Sequence, residues 1–211
     1  MRLFYAVLPP SNVLNMLGEQ VATWRQQADE QGIRWTDPTK FHFTVRFLGE
    51  TSLQKTQSAM EVGRELAARM VPFEVTFGAP GAFPDRTRPN VIWVGLESGD
   101  ADLKFLAESL DARTESLGFR KEPKAFSPHL TIARTKTYGA EEVMSNWLAS
   151  SPEMETISFP VNSFFLMQTV PGAAGSTYRE VERFTFAPEP ERLKSKTHEH
   201  TLSTEKETLN G

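Results

Sequence analysis

Two stretches, FHFTVRFLGE at residues 41–50 and FSPHLTIAR at residues 126–134, decide how this chain reads. The first alternates: Phe41, Phe43, Val45 and Phe47 point to one side of an extended backbone, and His42, Thr44 and Arg46 to the other. The second repeats its central unit 87 positions later, His129-Leu130-Thr131-Ile132 against His42-Phe43-Thr44-Val45. A side-chain period of two places the His and Thr of each unit on one face and the apolar residues on the other. A polar face on a strand whose reverse is core either meets water or lines a cleft. One such histidine is commonly a surface or structural residue. Two copies, at corresponding places in two halves of the chain, point to pseudo-symmetric lobes that share a cleft.

Outward from these strands, residues 2–8 read as another, with Leu3, Tyr5 and Val7 alternating. Pro9 and Pro10 stop it, and Ser11 offers a helix N-cap before the helically spaced Val13, Leu17, Val21, Trp24 and Ala28, with Gly32 as the stop. Helices are expected at about 52–70, 101–118 and 140–149. Strands are expected at 73–77, 91–96, 129–134, 157–170 and 177–186, with the Gly/Pro-rich run GAPGAFPDRTRPN at 78–90 as a loop. Strands and helices interleave without regular βαβ spacing, so the class is α+β, with antiparallel or mixed sheets. From Pro188 onward almost no apolar residue occurs, and residues 188–211 are expected to form a disordered tail.

The 211 residues carry 39% hydrophobic and 24% charged side chains, enough to bury a core in one domain or two small lobes. With 23 Lys and Arg against 27 Asp and Glu, the net charge of −4 speaks against a domain that grips long nucleic acid by charge alone. There is no cysteine, which excludes disulfide scaffolds, cysteine-ligated zinc, iron–sulfur clusters and cysteine nucleophiles. MRLFYAVLPP is too short an apolar run for a signal peptide or a span, so a soluble, cytoplasmic protein is expected.

Of the four histidines, His198 and His200 fall in the tail, where an H-E-H spacing lacks a third ligand and an apolar anchor. His42 and His129 are another matter. Two imidazoles with ordinary pKa near 6.5 can serve as one acid and one base at neutral pH. In-line displacement at phosphorus needs both, a base for the attacking water and an acid for the departing alkoxide, on opposite sides of the phosphorus. The Thr44 and Thr131 hydroxyls can donate to the non-bridging oxygens, and no metal or other cofactor is needed. A metallohydrolase fits poorly by ligand count, and no Walker-type phosphate loop supports an ATP-dependent ligase.

On these motifs, and on RPNVIWVGL at 88–96 and GSTYREVERF at 175–184, the chain resembles the two-histidine phosphoesterase superfamily, whose signature is a pair of H-x-T/S-x motifs. Within it, the match is to the RNA 2′,3′-cyclic phosphodiesterase family, also called 2′-5′ RNA ligase. The resemblance covers about residues 1–187, which it implies form a single bilobal domain with intertwined lobes, the two motifs facing each other across a groove. It implies hydrolysis of a ribose 2′,3′-cyclic phosphate to a 2′-phosphate, with His42 as general acid, His129 as general base, and Thr44 and Thr131 on the phosphate.

Arg134 matches a family arginine that contacts the phosphate, although strict alternation from His129 turns it away unless a bulge or twist intervenes. Arg46, on the face of His42 and Thr44, could add charge to the groove. Gln168-Thr169 departs from the family's frequent Glu-Ser pair. Phe47, Phe83, Trp93 and Tyr178 could stack a base, core packing being the commoner use of such residues. The implied partners are RNA ends or nucleotides bearing a 2′,3′-cyclic phosphate, with no membrane, no protein partner and a monomeric state. The alternatives are a 2′-5′ ligase or 2′-5′ phosphodiesterase using the same groups, and a non-catalytic binder of RNA ends.

Overall fold

A computed structural model describes residues 1–28, 32–137, 139–150, 152–173 and 175–188. Along the chain come β1 (Arg2–Val7), α1 (Ser11–Gln27), β2 (Ile33–Trp35), a 3-10 turn (Pro38–Lys40), β3 (Phe43–Glu50), α2 (Leu53–Ala67), β4 (Phe73–Phe83) and β5 (Val91–Ser98). There follow α3 (Asp100–Glu115), β6 (Leu130–Thr135), α4 (Ala140–Ala149), β7 (Ser158–Val161), β8 (Ser163–Val170) and β9 (Thr177–Thr185). The expected tail lies outside the described residues, apart from its first, Pro188.

The nine strands form one curled, antiparallel sheet in the order β7-β4-β5-β6-β3-β1-β8-β9, with β2 also on β6. The α+β expectation therefore holds, with four helices against the sheet. One large apolar cluster runs from Leu3 to Phe186 and includes Val13, Leu17, Val21 and Trp24 of α1, Leu66 of α2, Leu103, Leu106 and Leu110 of α3, and Met144, Trp147 and Leu148 of α4. β1 is buried on both faces. Leu3, Tyr5 and Val7 enter the main cluster, and Phe4 and Ala6 pack with Phe165 and Met167 in a small second one. The buried Tyr5 hydroxyl donates to the Ala59 carbonyl at 2.5 Å, tying α2 to the sheet, and burial holds that phenol well above its usual pKa.

β3 and β6 share a single register pair, Phe43 with Leu130, at the first residue of each. Antiparallel strands that pair only at their starts run apart from there. The sheet therefore opens on either side of this point, and each strand carries a histidine just ahead of it.

Four expectations need correcting. α1 ends at Gln27, with Ala28 at its C-cap, and not at Gly32. Ser11 is the first residue of α1 rather than its cap; Pro10 holds the cap position and makes no side-chain cap bond. The first part of the run at 78–90 is strand, since β4 continues to Phe83, and only the remainder is loop. Pairing slips between Phe77 and Pro80 and then resumes, and the Trp93 ring lies so close over Gly81 that a Cβ there would come within 2.3 Å of it. Only a residue without a side chain fits that contact. The stretch 157–170 divides at Asn162, so that β7 pairs with β4 and β8 with β1.

Candidate active site

His42 and His129 stand one residue before β3 and β6, not within them. Each ring is anchored in the same way: Nδ1 lies 2.7 Å from a carbonyl two residues back, that of Lys40 for His42 and that of Ser127 for His129. A carbonyl can only accept, so Nδ1 carries the hydrogen in both and Nε2 is left for chemistry. His42 Nε2 is 2.9 Å from Thr44 Oγ1. No hydrogen bond from His129 Nε2 occurs among the described residues.

His42, Thr44, His129, Thr131 and Arg134 line one cleft of about 600 Å³. Arg134 gets there through a bulge. On β5 and β6, Ile92 is opposite Ala133 and Trp93 opposite Thr131, so Ile132 is an extra residue. Ile132 and Ala133 are consequently both buried, and alternation resumes one step late with Arg134 toward the cleft.

The same device removes Arg46. On β1 and β3, Tyr5 is opposite Arg46 and Ala6 opposite Thr44, so Val45 is the extra residue. Val45 and Arg46 both turn inward, Phe47 takes the cleft position, and Arg46 is only 2% exposed. Arg46 Nε sits 3.0 Å from Asp111 Oδ1, Nη1 donates to Glu122 Oε1 at 3.0 Å and to the Phe47 carbonyl at 2.9 Å, and Nη2 donates to the Arg120 carbonyl at 2.6 Å. The expectation that Arg46 lends charge to the groove is therefore corrected: it is a buried strut between β3, α3 and the segment that leads to His129.

Aromatic rings enclose both histidines. His42 lies 5.3 Å from Phe4 and 4.9 Å from Tyr178 between centroids; His129 meets Phe83 edge-on at 4.9 Å and Trp93 at 6.5 Å. Burial pushes both imidazoles below the ordinary 6.5; facing His129 pushes His42 further, and nearby Arg134 does the same to His129, while each anchoring carbonyl works the other way. Phe47, 57% exposed, and Tyr178, 38% exposed, line the cleft and lie outside the buried core. Gln168 accepts from Arg179 at 2.6 Å, and Thr169 reaches the cleft.

Sequence reasoning passed over Arg34, on the short strand β2 directly opposite Arg134. The signal was the alternation Ile33-Arg34-Trp35, three residues long and too short to stand out. Among the described residues the cleft is lined by four cationic side chains, Arg2, Arg34, Lys40 and Arg134, against the single carboxylate of Asp37, in a protein of negative net charge. Among the described residues no group of three or more His, Asp or Glu side chains comes together to hold a metal ion.

A paired-histidine cleft at the centre of a curled antiparallel sheet defines a phosphoesterase-type α+β protein. The chain belongs to the 2′-5′ RNA ligase superfamily, whose family model matches residues 14–173. Curated proteins named RNA 2′,3′-cyclic phosphodiesterase are similar to it. That of Archaeoglobus fulgidus is 31% identical over 188 residues, covering 87% of this chain and 99% of its own. That of Thermus thermophilus is 30% identical over 199 residues, covering 90% and 92%. Among solved structures, one from Thermus thermophilus superposes with a TM-score of 0.74 at 28% identity, over 90% of this chain and 100% of that one. E. coli LigT complexed with 3′-AMP superposes at 0.68 and 22% identity, over 88% and 97%, a likeness of fold. Among the described residues, no helix is long and apolar enough to cross a membrane.

Proposed function

We propose that this protein hydrolyses the 2′,3′-cyclic phosphate at an RNA end or on a nucleotide, leaving a 2′-phosphate, by metal-independent acid–base catalysis. The observation that carries the reading is the pair of carbonyl-anchored imidazoles at the starts of two strands, each followed two residues on by a threonine that lines the same cleft. The names of the curated relatives agree with it. His129 takes a proton from the attacking water through Nε2. His42 gives one to the departing 3′ oxygen, while Thr44, Thr131 and Arg134 hold the non-bridging oxygens. The ribose keeps its bond to the 2′ oxygen and regains a 3′-hydroxyl; solvent returns the proton to His42 and removes one from His129.

The environments support this division. Burial disfavours charge on both imidazoles; at His129 the Arg134 cation adds to it, which suits a base, while at His42 the Thr44 hydroxyl on Nε2 can settle either protonation state. The bound phosphodiester anion supplies the charge that draws a proton onto His42. The same reading takes residues 1–187 as one domain, supported by the large apolar cluster that spans Leu3 to Phe186. It takes a monomer as sufficient, since every group named comes from one chain, and a cytoplasmic setting, in keeping with the lack of cysteine.

The test is incubation with an RNA oligonucleotide ending in a 2′,3′-cyclic phosphate, in the presence of a chelator, with identification of the product end. A 2′-phosphate from the wild type, absent with the His42→Ala, His129→Ala double variant, is the expected result. Tight binding without turnover would make the protein a binder of RNA ends instead.

A further inference from the structure

Arg34 and Arg134 occupy directly opposed positions on adjacent antiparallel strands, β2 and β6, and both line the cleft. Opposed residues of such a pair have Cβ atoms about 4.5–5.5 Å apart on the same face, and like charges there destabilise the sheet. Neither guanidinium group has a hydrogen bond or ion pair among the described residues. Among the described residues the one carboxylate lining the cleft is that of Asp37; its Oδ1 accepts from the Thr39 backbone N–H at 2.9 Å and the Thr39 hydroxyl at 2.7 Å, and it makes no ion pair with either arginine. Two uncompensated guanidinium groups side by side form a site that an anion completes. Arginine suits phosphate in particular, because its planar fork can donate two hydrogen bonds at once.

The reacting phosphate, held between two histidines and two threonines, needs one arginine at most, and Arg134 is the nearer in chain to His129. Arg34 is then left over. The cleft is also far larger than a single phosphate needs, and next to His42 it is lined by Phe4, Phe47 and Tyr178, against which a base could stack. We infer that Arg34 binds a second phosphate group of the substrate, beside the reacting phosphate that its strand neighbour Arg134 holds. The inference rests on the proposed reaction and narrows it: the preferred substrates carry a phosphate besides the cyclic one, as a nucleotide at the end of a chain does.

The test measures binding, which does not depend on turnover. Calorimetric titration with adenosine 2′-monophosphate and with adenosine 2′,5′-bisphosphate should show the wild type holding the bisphosphate about tenfold more tightly, as one added charge-assisted contact at an exposed site provides. Arg34→Gln should bring that ratio close to one, and Arg34→Lys, which keeps the charge without the fork, should leave an intermediate value. Equal wild-type affinity for the two ligands would overturn the subsite, as would an Arg34→Gln variant that weakens both by the same factor. Arg34 is exposed, so these variants are expected to fold, and thermal melting checks this.

Turnover then separates the two sources of the second phosphate. Cyclic nucleotides with a free 5′-hydroxyl, with a 5′-monophosphate and with a preceding nucleotide linked at the 5′ position are compared by kcat/KM. A gain for both phosphorylated forms marks recognition of charge alone, and a gain for the linked form only marks the chain's own phosphodiester. If none is turned over while the binding ratio holds, the reaction assignment fails and the second-phosphate site stands.

Discussion

The strands β3 and β6 are built alike and used differently. Both begin one residue after a histidine whose Nδ1 is fixed to a carbonyl two residues back, both present a threonine next on the cleft face, and both then insert one extra residue, Val45 or Ile132. After the bulge they diverge. β6 buries Ala133 and sends Arg134 to the cleft, whereas β3 buries Arg46 and sends Phe47. The geometry is thus repeated while the chemistry is not: the equivalent cleft position holds a cation on β6 and an aromatic ring on β3. The reverse sides differ as well. β6 packs against α4, and β3 against α3, where Asp111 and Glu122 of the following segment make room for a buried guanidinium.

The largest effects should come from the histidines themselves, His42→Ala and His129→Ala each lowering turnover about 10²- to 10⁴-fold. The comparison sharpens with a phosphodiester whose leaving group is a nitrophenolate, which departs without a proton. On it His42→Ala should lose little and His129→Ala as much as before; equal losses would break the assignment of acid and base. Next comes stability. Arg46→Met removes a cation whose partners Asp111 and Glu122 keep their charge, at a cost of about 3 kcal/mol, the lower end of the range because Glu122 is a third exposed. Urea denaturation measures it, and a variant as stable as wild type would show that the buried strut is not structural.

Thr44→Val and Thr131→Val should each cost about 10²-fold in kcat, as lost donors to the transition state do. Only Thr44→Val should also displace the pH profile, because only Thr44 touches a histidine nitrogen. The smallest effect is the profile itself. One ring must be charged and the other neutral, and burial sets both below 6.5, so the singly protonated pair is most abundant between two values that both lie below 6.5. kcat/KM, which reports the free enzyme, should therefore peak below pH 6.5 and fall as pH rises. kcat should peak at higher pH, since the bound phosphate anion raises both values. A kcat/KM optimum above 7 would contradict the burial of the pair.

Much of this was legible from short-range pattern. The alternation of Leu3, Tyr5 and Val7 marks β1, α4 falls at 140–149 as its spacing indicates, and the repeated His-x-Thr unit brings four side chains to one cleft. Gly and Pro misled where a tertiary contact decides: Gly81 reads as a loop residue, but it serves the Trp93 ring lying over it within a strand. β2 was missed because three residues hold too little periodicity, and only its partner β6 makes it a strand.

What the sequence determined by itself is the inventory of chemistry, two imidazoles and two hydroxyls with no thiol, and the face shared by each His and its Thr, because a strand's period of two acts over neighbouring residues. What only the tertiary structure decided lies beyond the bulges. An inserted residue is defined by the strand opposite it, Tyr5 and Ala6 for β3, Ile92 and Trp93 for β6. Alternation counted along one chain cannot register that shift, and so it turned Arg46 toward the cleft and Arg134 away, the reverse of where pairing with a partner strand puts them.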